Sequence, residues 1–425
     1  MKRPLKILVA PSGFKESLSP IEATQCMARG LARVWPDAEL RLAPIADGGE
    51  GFAETIVGAM GGDMRTVCVS GPLGEPVVAR YGLLGHGPLR SAVIDVAAAS
   101  GLSLVPRHRR DPTVTTSRGV GQLIRAALDT GARNLLIGCG DSGVHDAGMG
   151  LARELGVRFL DSSGQDLRDG GSELVRLSRI DVASLDRRLA DCTIDVAVNW
   201  ETVLLGDRGV TRRHAAQKGA TFSQVADLER AFETIDRVLR AQFGLAIADA
   251  PGSGASGGIG AALVAFAGAT LHPRLTIMHR YLDFKALLAD VDLVITGEGA
   301  LDGQSALGKA PCQIAEMAAR QGIPTVAVAG MLGRDADVTL DHGLRAFASI
   351  LERPCSIDEA IETASDLLER ATERAARLMN VGLQVGDAQA VVAKRECQLQ
   401  HRSKATAAGC TCSDFYRHGS RGGRD

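Results

Sequence analysis

The sequence predicts an α/β protein built of two α/β domains, one interrupted by the other. Three observations point there. The chain opens on strand, loop, helix, strand, loop, helix, the order that builds a parallel sheet. The same order returns after about residue 285. Between the two, short β-like runs and glycine turns replace it, and 425 residues exceed one ordinary domain. These changes of texture place an outer domain at 1–65 and 285–384 and an inserted domain at 66–284. A polar, basic tail at 385–425 is expected to be disordered.

The elements follow in order. Lys6 to Ala10 is a short apolar run suited to a strand. Ser19, with Pro20 behind it and Glu22 three residues on, makes a capping box with proline in the first turn. A helix therefore starts there and ends before Pro36. Arg41 to Ile45 reads as a second strand and Phe52 to Met60 as a helix. In the middle of the chain Thr66 to Val69, Val77 to Leu83 and Ala92 to Val96 read as strands, and Thr116 to Thr130 as a helix. Val291 to Thr296, Pro324 to Ala329 and Ala346 to Leu351 read as the returning strands, with helices at Pro311 to Arg320 and Ser356 to Met379.

Composition narrows the function. A net charge of −2 gives no general attraction to nucleic acid or to an anionic membrane, and 4% aromatic residues leave no base-stacking platform. No apolar run approaches the length of a membrane span. Cys26, Cys68, Cys139, Cys192, Cys312 and Cys355 stand among apolar neighbours and read as reduced core residues of a cytoplasmic protein. Cys397, Cys410 and Cys412 near His401 and His418 suggest a metal site, but a loosely attached tail explains them as well. Small molecules are the expected partners, and homo-oligomerisation stays open.

Four loops concentrate glycine with charged or hydroxyl residues directly after predicted strands, where the crevice of a parallel sheet lies. Pro11 to Ser19 carries Lys15, able to neutralise a carboxylate or phosphate. Pro44 to Gly51 carries Asp47 and Glu50 across two glycines, and paired carboxylates suit Mg²⁺ or the orientation of a substrate hydroxyl. Gly138 to Gly150 carries Ser142, a donor to an anion, and Asp146, a contact for substrate or metal. His145 in that loop is either a general base or an ordinary polar residue. Thr296 to Pro311 sets Glu298, Asp302, Ser305 and Lys309 around four glycines, a mixture that suits nucleotide phosphates and Mg²⁺. Gly252 to Gly260, with Gly254, Gly257 and Gly258, offers an amide cradle for phosphate but lacks the Gly-Lys-Ser or Gly-Lys-Thr ending of a P-loop.

From about residue 5 to 380 the chain resembles the bacterial type 1 glycerate kinases. The likeness rests on Phe-Lys-Glu-Ser-Leu-Ser at 14–19, Pro-Ile-Ala-Asp-Gly-Gly-Glu-Gly at 44–51, Gly-Pro-Leu-Gly at 71–74 and Ala-Ala-Ala-Ser-Gly-Leu at 97–102. Asp-Pro-Thr-Val-Thr-Thr-Ser-Arg-Gly at 111–119, Gln-Lys-Gly-Ala at 217–220 and Thr-Gly-Glu-Gly at 296–299 complete it. The resemblance implies ATP and Mg²⁺ dependence, glycerate as the acceptor, and a flavodoxin-like domain interrupted by a second α/β domain with the active site between them. The chain departs from the family pattern at Ser12, where an aspartate is usual. It departs also across Asp141, Gly143, Val144, His145 and Ala147, and from Asn199 to Val203.

Phosphoryl transfer needs positioning and charge stabilisation, and on that ground roles are expected for these residues. Asp47 or Glu298 would orient the attacking hydroxyl, and the other would help hold Mg²⁺ with Glu50 and Asp302. Lys15 would bind the substrate carboxylate, and Lys218 or Lys309, with Ser305 and the Gly252 to Gly260 amides, would steady the ATP phosphates. A kinase of another small polyol acid, such as a tetronate, and a binding-only sensor of the same fold are the rival readings.

Overall fold

The structure, a computed structural model, describes residues 3–46, 48–85 and 90–385. Asp47 and nearly all of the tail expected at 385–425, with its cysteines and histidines, lie outside the described residues. Among the described residues, those up to 372 form one compact unit and 373–385 belong to another. Residues 373–385 of the latter are helical.

The strands run β1 (Lys6–Val9), β2 (Glu39–Leu42), β3 (Gly62–Ser70), β4 (Pro76–Leu84), β5 (Ser91–Asp95), β6 (Asn134–Gly138), β7 (Arg158–Leu160), β8 (Arg179–Asp181), β9 (Thr193–Val198) and β10 (Thr270–Pro273). After them come β11 (Leu293–Thr296), β12 (Ala300–Leu301), β13 (Thr325–Ala329), β14 (Met331–Leu332) and β15 (Leu344–Ser349). A five-stranded sheet has the order β15-β13-β11-β1-β2, parallel throughout. A six-stranded sheet has the order β10-β9-β6-β5-β4-β3, parallel from β10 to β5 and antiparallel beyond. β7 with β8, and β12 with β14, make two small pairs. The first and last of these strands thus lie in the first sheet, and the second is supplied from between them.

Local chemistry explains the elements. The first helix, Pro20–Ala32, starts on the expected capping box: the Ser19 hydroxyl accepts from the Glu22 amide, and the Glu22 carboxylate accepts from the Ser19 amide at 2.8 Å. Strands covered on both sides read as continuous apolar runs, as in β13, which is buried along its whole length. The helix Phe52–Met60 fills the space between the sheets. Its Phe52, Ile56 and Val57 share one core with Leu8 and Ala43 from the first sheet side and Val93, Leu136 and Ala197 from the second. Val57 can sit there because Gly82 leaves room; a Cβ on that glycine would lie 2.4 Å from Val57 Cγ2. The opposite face of the second sheet is covered by the helices Arg118–Asp129 and Ala255–Ala267.

Two expectations change. The helix read from Ser356 is broken by a turn at Thr363, so Ile357–Glu362 stands alone before helix resumes at 364. Cys68 is exposed rather than in the core, because it lies on the outermost strand of the second sheet; Cys26, Cys139 and Cys312 are buried, and all six described cysteines are free.

Candidate functional site

The loops that follow β1, β6, β9 and β10 meet at the carboxyl ends of the strands around a cavity of about 120 Å³. Glycines permit the meeting. Gly140 crosses the second loop so closely that a Cβ would lie 2.6 Å from Gly49 Cα, and on Gly138 it would lie 2.8 Å from Gly48 O. Asp141 follows, with φ 48°, and joins two loops: its Oδ2 accepts from the Glu50 amide at 3.2 Å, and its Oδ1 lies 3.3 Å from Lys15 Nζ. Next to it Ser142 Oγ accepts from Lys218 Nζ at 3.0 Å, and the same ammonium donates to Val144 O at 2.6 Å.

Basic groups dominate the cavity wall. Lys15, Lys218 and Arg274 line it with the imidazole of His214, and Asp141 is the one carboxylate among the described lining residues. Burial and the neighbouring Lys15 push the Lys218 ammonium down to about 7. Burial and Lys218, then Lys15, Arg213 and Arg274, push His214 down to about 4. Ser142, Asn199, Thr202, Gln217 and Ser256 add neutral polar groups. Such a wall suits a small anion bearing hydroxyls. Glu50 stays exposed beside this wall, its carboxyl raised by partial desolvation and by the Asp141 carboxylate.

A second polar group forms in the loop after β11. Glu298, only 6% exposed, accepts from Ser305 Oγ at 2.5 Å and lies 3.4 Å from Lys309 Nζ. Asp302 lies 3.5 Å from the same ammonium. Gly299 packs this loop onto the first: its Cβ position lies 3.2 Å from Lys15 N. Ser12 joins them too, its hydroxyl donating to Gly297 O at 3.2 Å, a bond an ionised aspartate cannot donate.

The sequence-predicted residues therefore divide. Lys15, Ser142, Lys218 and Gly257 come together at the cavity, while Glu298, Asp302, Ser305 and Lys309 form the second group. Glu50 stands with Asp141, and Asp302 with Lys309. Among the described residues no three His, Cys, Asp or Glu side chains stand close enough to hold a metal ion. Mg²⁺ asks less, one or two carboxylates completed by phosphate and water, and Glu298 with Asp302 meets that.

Asp146 is not brought to the cavity. Its buried carboxylate accepts from the Ser117 amide and hydroxyl at 2.8 and 2.9 Å, and from the Gly148 and Gly150 amides at 3.0 and 3.1 Å. It holds the loop together. Asp146→Ala should cost about 3–5 kcal/mol by urea unfolding, because four donors lose their acceptor. His145 is fully buried, bonded through Nε2 to Thr211 Oγ1 at 2.9 Å and stacked on Phe232, with its pKa held well below the usual histidine value by burial and Lys218. That environment suits packing, not proton transfer. In the glycine run, Ser256, Gly257 and Gly258 take φ 53°, 71° and 92° and kink the helix start. The Gly254 and Gly258 amides are spent on Thr202 O and Gly254 O. Of the three glycines expected in the cradle, Gly257 reaches the wall, beside Ala255 and Ser256, while Gly254 and Gly258 do not.

His214 and Arg274 carry no signal in the sequence, since each comes from an unremarkable stretch, while Thr202 stands in the Asn199 to Val203 departure from the family pattern. The motifs at 97–102 and 111–119 prove to be the frame of the third loop: Gly143 N donates to Ser100 O and Thr115 Oγ1 to Gly143 O.

Comparison with known proteins gives the same direction. The sequence model of the Glycerate kinase family matches residues 7–380. The chain is 41% identical to glycerate 2-kinase of Escherichia coli K12 over 379 residues, covering 89% of this chain and 99% of that one. It is also 41% identical to glycerate kinase of Bacillus subtilis 168, covering 86% and 95%. A crystal structure of a protein assigned as glycerate kinase 2 from Salmonella typhimurium LT2 superposes with a TM-score of 0.69 at 40% identity, covering 90% of this chain and all of the other.

Proposed function

The chain belongs to the glycerate kinase family, and we propose that it phosphorylates glycerate with ATP at the 2-hydroxyl, with the substrate carboxylate seated against Lys15, Ser142 and Lys218. The position on glycerate is taken from the E. coli relative, whose name specifies a 2-kinase. The observation that carries the placement is the wall of Lys15, Lys218 and Arg274 around a cavity of about 120 Å³, which a small anion with hydroxyls matches in charge and size. The group at Glu298, Asp302, Ser305 and Lys309 would take the nucleotide side. There Mg²⁺, held by Asp302 and by whichever of Glu298 and Asp47 does not take the proton, would supply charge neutralisation of the phosphates when bound.

The protein's own share is positioning and charge. Lys15 and Lys218 fix the carboxylate, which sets the direction of the hydroxyl. Glu298, or Asp47 in the second loop, accepts a hydrogen bond from that hydroxyl and receives its proton. Lys309 offsets the charge on the transferring group. Among the described residues no helix is long and apolar enough to cross a membrane, and the free cysteines support work in the cytoplasm. The domains are proposed to follow the two sheets.

The test is ADP release from Mg²⁺–ATP with D-glycerate and, in parallel, with tetronates, followed by phosphorus NMR of the product. We expect ADP with glycerate and a signal for 2-phosphoglycerate. A 3-phosphoglycerate signal would overturn the 2-hydroxyl assignment. Turnover confined to a tetronate would overturn the substrate, and binding without ADP from any acid would overturn catalysis.

A further inference from the structure

We propose that Asp95, which touches neither the cavity nor the second polar group, is a positioning residue for the reaction and sets the loop that carries Glu50. Asp95 ends β5 and is paired in register with Gly138, the last residue of β6, so it stands where the cavity loops leave the second sheet. The helix Phe52–Met60 begins after Gly51, a residue with φ 83° and no side chain to cap the first turn. The missing cap comes from the other sheet. Asp95 Oδ2 accepts from the Gly51 amide at 3.1 Å and Oδ1 from the Ala53 amide at 2.6 Å. A carboxylate across the first turn also faces the positive end of the helix dipole.

The consequence reaches the site through the chain. Asp95 fixes residues 51 and 53, while Asp141 fixes the amide of Glu50 and holds Lys15. Two carboxylates from the side of the second sheet thus grip the amides of residues 50, 51 and 53 in a segment that enters from the first. Asp95 is 6% exposed and is absent from the cavity wall, so it acts only through that grip. Without it the segment retains the Asp141 bond and glycine contacts, which leave its entry angle free.

The inference rests on glycerate phosphorylation being the reaction, and wild-type turnover reports that separately. Asp95→Asn keeps one acceptor oxygen and loses the other, so the fold should survive with one amide unpaired. Expected is a kcat about ten- to a hundredfold lower, with the KM for glycerate within about threefold of wild type. Asp95→Ser, smaller and with one acceptor, should show the same split. Asp186→Asn is the control: Asp186 caps the distant turn at Arg187–Asp191 and should lose stability without losing kcat. A folded Asp95→Asn or Asp95→Ser protein with kcat within twofold of wild type would overturn the proposal. So would a loss of kcat in Asp186→Asn equal to that in Asp95→Asn, since loss of stability alone would then explain both.

Discussion

Glu298→Gln should lower kcat by about two to three orders of magnitude while the protein stays folded. Glutamine keeps the shape and an acceptor for Ser305 Oγ, which now bonds Glu298 at 2.5 Å. It removes the charge that faces Lys309 at 3.4 Å and the basicity needed to take a proton from the attacking hydroxyl. A buried carboxylate that serves only to hold a loop would behave otherwise: the variant would lose stability and keep its turnover. Single-turnover kinetics with saturating ATP and glycerate separate the two, together with a urea melt. Near-normal turnover in the variant would remove Glu298 from the mechanism and leave the proton to Asp47.

Lys218 should impose an alkaline limb on glycerate binding. In the free enzyme its ammonium is pushed down to about 7 by burial and by Lys15, with Asp146 as the opposing influence. Below that value the charge is present and the carboxylate binds an ammonium. Above it the lysine is neutral, and an incoming anion must bring a proton with it. The kcat/KM for glycerate should therefore be flat below about pH 7 and fall up to tenfold per unit above it. Lys218→Met should abolish that limb and raise the KM for glycerate about ten- to a hundredfold, the worth of a charge-assisted hydrogen bond. An unchanged limb in Lys218→Met would assign it to another group. Stability carries a related signature. A lysine whose pKa falls on folding contributes stability above its unfolded value, and that is lost as the pH drops toward 7.

Much of the fold was legible because local chemistry decided it. The Ser19–Glu22 box forms as read, the helix Phe52–Met60 has the expected bounds, and every strand read from the sequence appears within a few residues. These signals are short-range: a cap, a proline, an apolar run. The site was legible only in part. Lys15, Ser142 and Glu298 stand in loops after strands, and parallel topology carries such loops to one edge. Lys218 became visible only through the family motif, since a lysine before a glycine says nothing of its own burial.

What misled was composition without partners. Asp146 sits in a loop as rich in glycine and polar groups as any binding loop, yet its four donors come from backbone and from Ser117, 29 residues earlier. His145 has the chemistry of a base, but Thr211 and Phe232 enclose it. The glycines at 254 and 258 serve close packing: a Cβ on Gly254 would lie 2.1 Å from Val203 O. Long-range contacts decide such cases, and a single sequence does not contain them. Asp95 is the converse, a strand-end carboxylate whose use depends on a turn 44 residues away.

The most direct measurement is a crystal structure of the protein with D-glycerate. The carboxylate is expected within hydrogen-bonding distance of Lys15 Nζ, Ser142 Oγ and Lys218 Nζ, with the 2-hydroxyl directed toward the loop of Glu298. Glycerate seated against Lys309 and Asp302 instead, with the cationic wall left to solvent or to the nucleotide, would reverse the two halves of the site and contradict the assignment.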